Sequence, residues 1–175
     1  MFNVKYIRNV LSEKLISDIK SYAVENKDRA VWTTNHLLWA EQIVRDSSSV
    51  DILNLKNTPL EKKILSDFKK FIDFKKYNCV ALNYYRWHPG SFIPFHNDKI
   101  YDLASSIYLT KDWDSNYGGL FLFEDSEQFL KAVVPSYNNG IINSNSVVHG
   151  TSIVSPKAPI RETLQLFFQR STPVK

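Results

Sequence analysis

Cysteine is almost absent from this sequence: Cys79 is the only one in 175 residues, so no disulfide can form within the chain. No run of about 18 apolar residues occurs, which is the length that a membrane-spanning helix needs. The first residues also lack a charged segment followed by a long apolar run, the mark of a secretory signal. These absences predict a protein of a reducing compartment, the cytoplasm, without a membrane segment.

A strong net charge is lacking as well. The formal net charge is +4, and all of the excess lies in residues 1–80, which hold 14 Lys and Arg against 10 Asp and Glu, whereas residues 81–175 hold 8 of each. Much of the excess alternates with apolar residues at helical spacing between Leu60 and Lys76, which indicates the solvated face of an amphipathic helix. A surface for nucleic acid or another acidic partner is the less favoured alternative.

The hydrophobic content of 43% is enough for one substantial core, and the length predicts a single domain over residues 1–175. Two helices are expected in a helical N-terminal part, about 1–77. The first follows an N-cap at Ser12 and ends near Asn26, and the second begins at Thr58-Pro59 and runs to about Phe74. Between them we expect extended segments and loops without a clear period.

The remainder, about 78–170, has short runs of aromatic and β-branched residues separated by turn residues, which is typical of an all-β core. Predicted strands cover residues 79–87, 93–98, 105–109, 120–123, 130–134, 140–143, 147–148 and 163–169. The prediction is a mainly β (α+β) protein: a two-sheet antiparallel sandwich or barrel with the N-terminal helices packed on one sheet.

Two histidines and an aspartate in this core have the pattern of a metal site. On an extended strand His96 and Asp98 project to the same side, about 7 Å apart at their backbones. His149 ends another apolar run and belongs to a different strand. Two histidines and one carboxylate on one face of an ion are the ligand set of non-haem Fe(II) oxygenases, which leaves positions for a 2-oxo acid and dioxygen.

A 2-oxo acid also requires a cation for its distant carboxylate. Arg161 opens the last predicted strand, and alternation places Thr163 on the same face, where its hydroxyl would share that carboxylate. Lys157, in a proline-flanked loop, is the rival anchor. Taken singly, His149 fits a buried core histidine and Arg161 a salt bridge at the rim equally well, so the interpretation depends on the whole set.

Four stretches also carry a resemblance to a known family. They are RWHPG at 86–90 ahead of HND at 96–98, IYLTKDWD at 107–114 with the Gly-Gly pair at 118–119, PSYNNG at 135–140, and HGTSIV at 149–154. In this order, over about residues 79–170, they resemble the 2-oxoglutarate and Fe(II)-dependent dioxygenases, and specifically the prolyl-hydroxylase-like branch.

The resemblance implies a double-stranded β-helix, or jelly roll, with His96, Asp98 and His149 as catalytic metal ligands. It implies Fe(II), 2-oxoglutarate as co-substrate and O2, with ascorbate as a supporting reductant. Tyr108 matches the tyrosine that bonds the C5 carboxylate of 2-oxoglutarate. Two departures stand out: Trp87 replaces a tyrosine of the family, and the interval from His149 to Arg161 is longer than usual, which keeps Lys157 as a rival.

The implied reaction is hydroxylation of an unactivated C–H bond, giving succinate and CO2. The leading substrate is a prolyl residue in a peptide or protein. The alternatives are a free amino acid or other small molecule, a nucleic-acid demethylase, which the balanced charge of residues 81–175 disfavours, and a jelly-roll binding module without catalysis. Nothing in the sequence indicates the oligomeric state.

Overall fold

The computed structural model describes residues 4–27 and 32–171. Its helices and strands follow the order β1 (Val4–Ile7), α1 (Glu13–Glu25), β2 (Trp32–Thr34), α2 (Asn35–Leu38), α3 (Glu41–Val44), β3 (Val50–Asn54), α4 (Pro59–Phe68), β4 (Tyr77–Trp87), β5 (Ile93–His96), β6 (Leu103–Tyr108), β7 (Phe121–Glu124), β8 (Leu130–Val133), β9 (Gly140–Ser144), β10 (His149–Thr151) and β11 (Arg161–Arg170). None of the helices in this part of the chain is long and apolar enough to cross a membrane.

The strands form two antiparallel sheets. The larger has seven strands in the order β1-β9-β6-β11-β4-β3-β2, and the smaller has four in the order β5-β10-β7-β8. Neighbours along the chain are therefore often in different sheets, as a jelly roll requires. The predicted mainly β, two-sheet fold is confirmed.

Helices α1 and α4 cover the outer face of the larger sheet. Both are amphipathic, and their buried residues form one apolar cluster with side chains of that sheet: Leu15, Ile16, Ile19, Leu60, Ile64, Phe68, Leu82, Tyr84, Ile107, Ile142, Leu164, Leu166 and Phe168. Helix α1 lies where it was predicted, directly after Ser12. Helix α4 ends at Phe68, short of Phe74, and is followed by a turn in which the Phe71 amide donates to the Phe68 carbonyl at 2.9 Å.

The N-terminal part contributes three strands to the larger sheet beside its helices. β2 and β3 lie between the two predicted helices, where extended segments were expected, whereas β1 was not predicted. β1 pairs with β9 and β3 pairs with β4. They are short, and pairing with strong neighbours stabilises them more than their own pattern does. The strand predicted at 147–148 was also misplaced, since β10 begins at His149. That residues 1–175 form a single domain stays a prediction.

Alternation along the central strands gives the larger sheet two different faces. Most of the outward residues are apolar and meet the helices, while Glu162 on that face pairs with Tyr84 and with Lys20 of α1. The inward residues, which face the smaller sheet, combine aromatic rings with polar groups: Asn83, Tyr85, Trp87, Ser106, Tyr108, Asn143, Arg161, Thr163 and Gln165. The polar residues of the core are therefore concentrated between the sheets.

Candidate metal centre and anion pocket

His96 and His149 face each other across the smaller sheet. They are register partners in the pairing of β5 with β10, and their ring centroids are 4.5 Å apart. Nδ1 of His96 lies 2.9 Å from the Pro94 carbonyl, and Nδ1 of His149 lies 3.0 Å from the Val147 carbonyl. Because a carbonyl only accepts, each Nδ1 carries the proton and each Nε2 has a lone pair free for a metal ion.

Asp98 completes the group. One carboxylate oxygen lies 3.8 Å from His96 Nε2, and the other lies 3.5 Å from His149 Nε2. The three ligand atoms are all within 4.8 Å of one another. Adjacent ligands around an ion with bonds of about 2.1 Å are about 3 Å apart, so small rotations of these side chains would close the site. The structure brings together all three residues that the sequence analysis proposed as ligands.

The environment keeps the ligands ready for a metal ion. Burial lowers the pKa of His149 below its usual value, an effect that Asp98 opposes and His96 reinforces. His149 is therefore neutral at neutral pH, the form that binds metal. The ring of Phe121 stacks on it, with centroids 5.2 Å apart, and fixes its plane.

Arg161 is the most unusual charged residue of the core. It is 2% exposed, and its Nε and Nη1 atoms have no hydrogen-bond partner in the part of the chain that is described. Its guanidinium lies between two rings, 5.0 Å from the centroid of Trp87 and 5.2 Å from that of Tyr108. Burial lowers its pKa to about 10, so it stays charged at neutral pH. A buried, charged and incompletely paired donor calls for an anionic ligand.

Tyr108 adds a donor to the same pocket. Its hydroxyl is buried and has no partner among the described residues. Burial raises the pKa of this phenol to about 12, so it is a neutral donor at neutral pH. The donors of Arg161 and Tyr108 together fit one carboxylate.

Gly119 makes room for the arginine. A Cβ at this position would lie 2.9 Å from Arg161 Cδ, and the backbone has φ +63°, a conformation that glycine adopts without strain. The Gly-Gly pair noted in the sequence therefore has a steric role beside the anion pocket.

Thr163 and Lys157, the other residues proposed to bind the co-substrate, lie in the core and at the surface, respectively. The Thr163 hydroxyl oxygen accepts hydrogen bonds from Trp87 Nε1 at 3.0 Å and from Gln165 Nε2 at 3.4 Å, which leaves its own hydrogen to donate. The indole that replaces a tyrosine thus holds Thr163 in place. Lys157 is exposed in the loop between β10 and β11, so its location favours Arg161 as the anchor.

A cavity of about 500 Å³ opens beside the three ligands. Its floor is the inward face of the larger sheet, including Asn83 and Asn143, and its mouth includes Leu38 and Trp39 of the α2–α3 region. Sequence reasoning missed the two asparagines as site residues. The available signal was a polar residue inside an apolar strand, as in Gly-Ile-Ile-Asn-Ser of β9.

The remaining histidines are not part of this group. His88 Nε2 lies 2.8 Å from a carboxylate oxygen of Asp51 in β3, and His36 is exposed on α2.

Comparison with known proteins shows which solved structures have a similar fold. No family model matches the sequence, and no curated protein matches it. Solved structures match over nearly the whole chain. An oxidoreductase of the 2OG-Fe(II) oxygenase family from Burkholderia pseudomallei has TM-score 0.74 and 17% identity, covering 97% of this chain and 86% of the other.

A prolyl hydroxylase from Trichoplax adhaerens, in complex with a peptide of the hypoxia inducible factor oxygen degradation domain, has TM-score 0.76 and 12% identity over 95% of this chain and 83% of the other. SnoN, a non-heme alpha ketoglutarate dependent epimerase from nogalamycin biosynthesis, has TM-score 0.72 and 8% identity over 97% and 79%. The fold that the motif resemblance implied is thus confirmed: the chain has the double-stranded β-helix fold that is also found in 2-oxoglutarate and Fe(II)-dependent oxygenases.

Proposed function

We propose that this protein is an Fe(II)- and 2-oxoglutarate-dependent dioxygenase that hydroxylates a prolyl residue in a peptide or protein. The observation that carries the proposal is the pairing of two sites. His96, Asp98 and His149 converge on one point, and Arg161 and Tyr108 present unpartnered buried donors in the same jelly roll. A metal site alone would suit many functions, but a neighbouring built-in site for a carboxylate is what 2-oxoglutarate needs.

Bound here, Fe(II) and 2-oxoglutarate would supply dioxygen activation, with one oxygen atom entering a substrate C–H bond and the other leaving in succinate alongside CO2. The histidines and Asp98 would hold the metal on one side, which leaves the other side to ligands. Arg161 and Tyr108 would fix the distant carboxylate. Trp87 and Phe121 are almost fully buried and keep water from these groups.

The proposal of a peptide substrate is supported by the mouth of the cavity. Leu38 and Ile100 line it and are 58% and 72% exposed. Exposed apolar side chains at a cavity rim are typical of binding surfaces, and a peptide that extends beyond the cavity would cover them. The complex of the Trichoplax prolyl hydroxylase with a peptide is consistent with this use of the fold. A free amino acid or other small molecule is the alternative substrate.

The first experiment is succinate formation from 2-oxoglutarate with Fe(II) and ascorbate, run with and without prolyl peptides. Mass spectrometry of each peptide then looks for the gain of one oxygen atom. We expect succinate to depend on added Fe(II) and a peptide product to appear in step with it.

The matched variants are His96→Ala and His36→Ala. The first removes a proposed ligand, and the second removes an exposed histidine outside the site. Loss of succinate formation in the first variant alone supports the metal site. Equal activity in both variants would contradict it, and succinate without any oxidised peptide would redirect the search to small molecules.

A further inference from the structure

Asn143 is a buried polar residue that the metal centre and the anion pocket do not use. It lies in β9, is 2% exposed, and its Nδ2 has no hydrogen-bond partner among the described residues. Its side chain lines the same cavity as His96, Asp98 and His149. A buried amide nitrogen without an acceptor costs free energy, which a ligand oxygen would offset.

The register of the larger sheet separates Asn143 from the anion pocket. Asn143 is the partner of Ala104 in β6, and Tyr108 lies four residues further along that strand, about 13 Å away at the backbone. Arg161 and Tyr108 lie outside the lining of the cavity, whereas Asn143 lies within it. Asn143 therefore faces the cavity beside the metal ligands rather than the pocket around Arg161.

Two other polar residues of the cavity floor are already paired. The Ser106 hydroxyl donates to the Gln165 side-chain oxygen at 2.7 Å, and the Gln165 amide nitrogen donates to Thr163 at 3.4 Å. Both residues line the cavity with their side chains committed to each other. Among the described residues that line the cavity, Asn143 is the one with a buried side-chain donor that lacks a partner.

The charged residues that line the cavity indicate which kind of ligand group Asn143 would contact. Among the described lining residues, Asp98 is the sole carboxylate and is a proposed metal ligand, while Lys99 is the sole lysine or arginine and is exposed. A carboxylate or ammonium group buried here would lack a dedicated counter-charge, which is costly. A neutral carbonyl needs a single donor and packs well beside Tyr85 and Phe167.

Resting on the proposed function, we propose that Asn143 is a substrate-binding residue that donates a hydrogen bond to a neutral carbonyl oxygen of the substrate. The substrate class is then an amide-bearing molecule, such as a capped or peptide-linked residue, rather than a free amino acid.

The test measures binding without turnover. Wild-type protein is loaded with Mn(II), which does not activate dioxygen, and titrated by calorimetry with 2-oxoglutarate, with the capped peptide N-acetyl-Gly-Pro-Gly-amide, and with free L-proline. The same titrations use Asn143→Leu and the matched control Asn78→Leu, which is an exposed asparagine on β4 away from the cavity. Thermal unfolding checks that each variant is folded, and Asn143→Ser replaces Asn143→Leu if the larger side chain prevents folding.

We expect wild type to bind the capped peptide more tightly than free proline. Asn143→Leu should raise the Kd of the peptide about tenfold, the effect of one neutral hydrogen bond, and change the Kd of 2-oxoglutarate less than twofold. Asn78→Leu should change neither.

Three results would overturn the inference: no binding of the capped peptide by wild type, an unchanged peptide Kd in Asn143→Leu, or an equal loss of 2-oxoglutarate affinity in that variant. The proposed function fails separately. If wild type does not bind 2-oxoglutarate but Asn143→Leu still weakens the peptide, the role of Asn143 stands and the co-substrate assignment is wrong.

Discussion

The Trp87 indole does two things at once: its ring centroid lies 5.0 Å from the Arg161 guanidinium carbon, and its N–H donates to the Thr163 hydroxyl oxygen at 3.0 Å. The Trp87 side chain of β4 thus packs on the Arg161 guanidinium and also holds Thr163, which lies on the same strand as Arg161, β11. It also lines the cavity beside the metal ligands. The anion pocket and the metal centre therefore share a wall.

The hydrogen bond between Trp87 and Thr163 should be measurable by itself. Trp87→Phe keeps an aromatic ring against Arg161 but loses the donor, and Thr163→Val loses the acceptor. A double-mutant cycle on urea unfolding should give a coupling free energy of about 1 kcal/mol, since one buried hydrogen bond is removed by either change. Purely additive effects would show that this bond does not contribute.

Removing the charge of Arg161 should abolish tight 2-oxoglutarate binding. Arg161→Met keeps the length of the side chain and deletes two or more charge-assisted hydrogen bonds, so the Kd should rise on the order of 100-fold. Calorimetry with Mn(II)-loaded protein measures it. Lys157→Met is the control that separates the rival anchors, and a larger loss in this control would move the carboxylate to the loop.

Adding one methyl group at Gly119 should disturb the arginine. Gly119→Ala places a Cβ 2.9 Å from Arg161 Cδ at φ +63°. We expect a loss of about 1–2 kcal/mol in unfolding free energy and weaker 2-oxoglutarate binding.

Gly90→Ala is the matched control, because Gly90 also has positive φ, +85°, but its Cβ would meet Ser48 instead. It should lose stability and keep its co-substrate affinity. Equal weakening of 2-oxoglutarate in both variants would mean that general strain, not contact with Arg161, causes the effect.

Metal binding should stabilise the fold through the three ligands. At a free Mn(II) concentration of 100 times the Kd, the unfolding free energy should rise by about 2.7 kcal/mol. The rise should vanish in His149→Ala, as seen by thermal unfolding with and without Mn(II). His88→Ala breaks the contact with Asp51 and should retain the metal-dependent rise; if it does not, the ion binds elsewhere.

Most of the second half of the fold could be predicted because its longer strands each have their own signal, whereas β10, with three residues, was misplaced. The strands β4 and β11 are rich in aromatic and apolar residues, and each predicted end lies within two residues of the observed end. The strands β1, β2 and β3 have three to five residues each and depend on partners that are distant in sequence. Local pattern does not contain that information.

In the candidate site, too, some residues could be predicted from the sequence and others could not. Alternation predicted a common side for His96 and Asp98, but β5 ends at His96, and Asp98 lies in the segment just after the predicted strand's observed end. The choice of His149 followed from its place after an apolar run. Asn143 was missed because β9 is buried along its whole length, and its sequence does not reveal which residues border a cavity. The pairing with β6 decides that, and pairing is a property of the folded sheet.

One face of the larger sheet packs against the helices and the other lines the cavity, which has a consequence for engineering. Positions that hold the helices and positions that shape the cavity alternate along the same strands, so a library restricted to 83, 104 and 143 changes the reaction chamber and leaves the apolar layer beneath α1 and α4 intact. Substitutions at these three positions should change the substrate selectivity without a need for stabilising substitutions elsewhere.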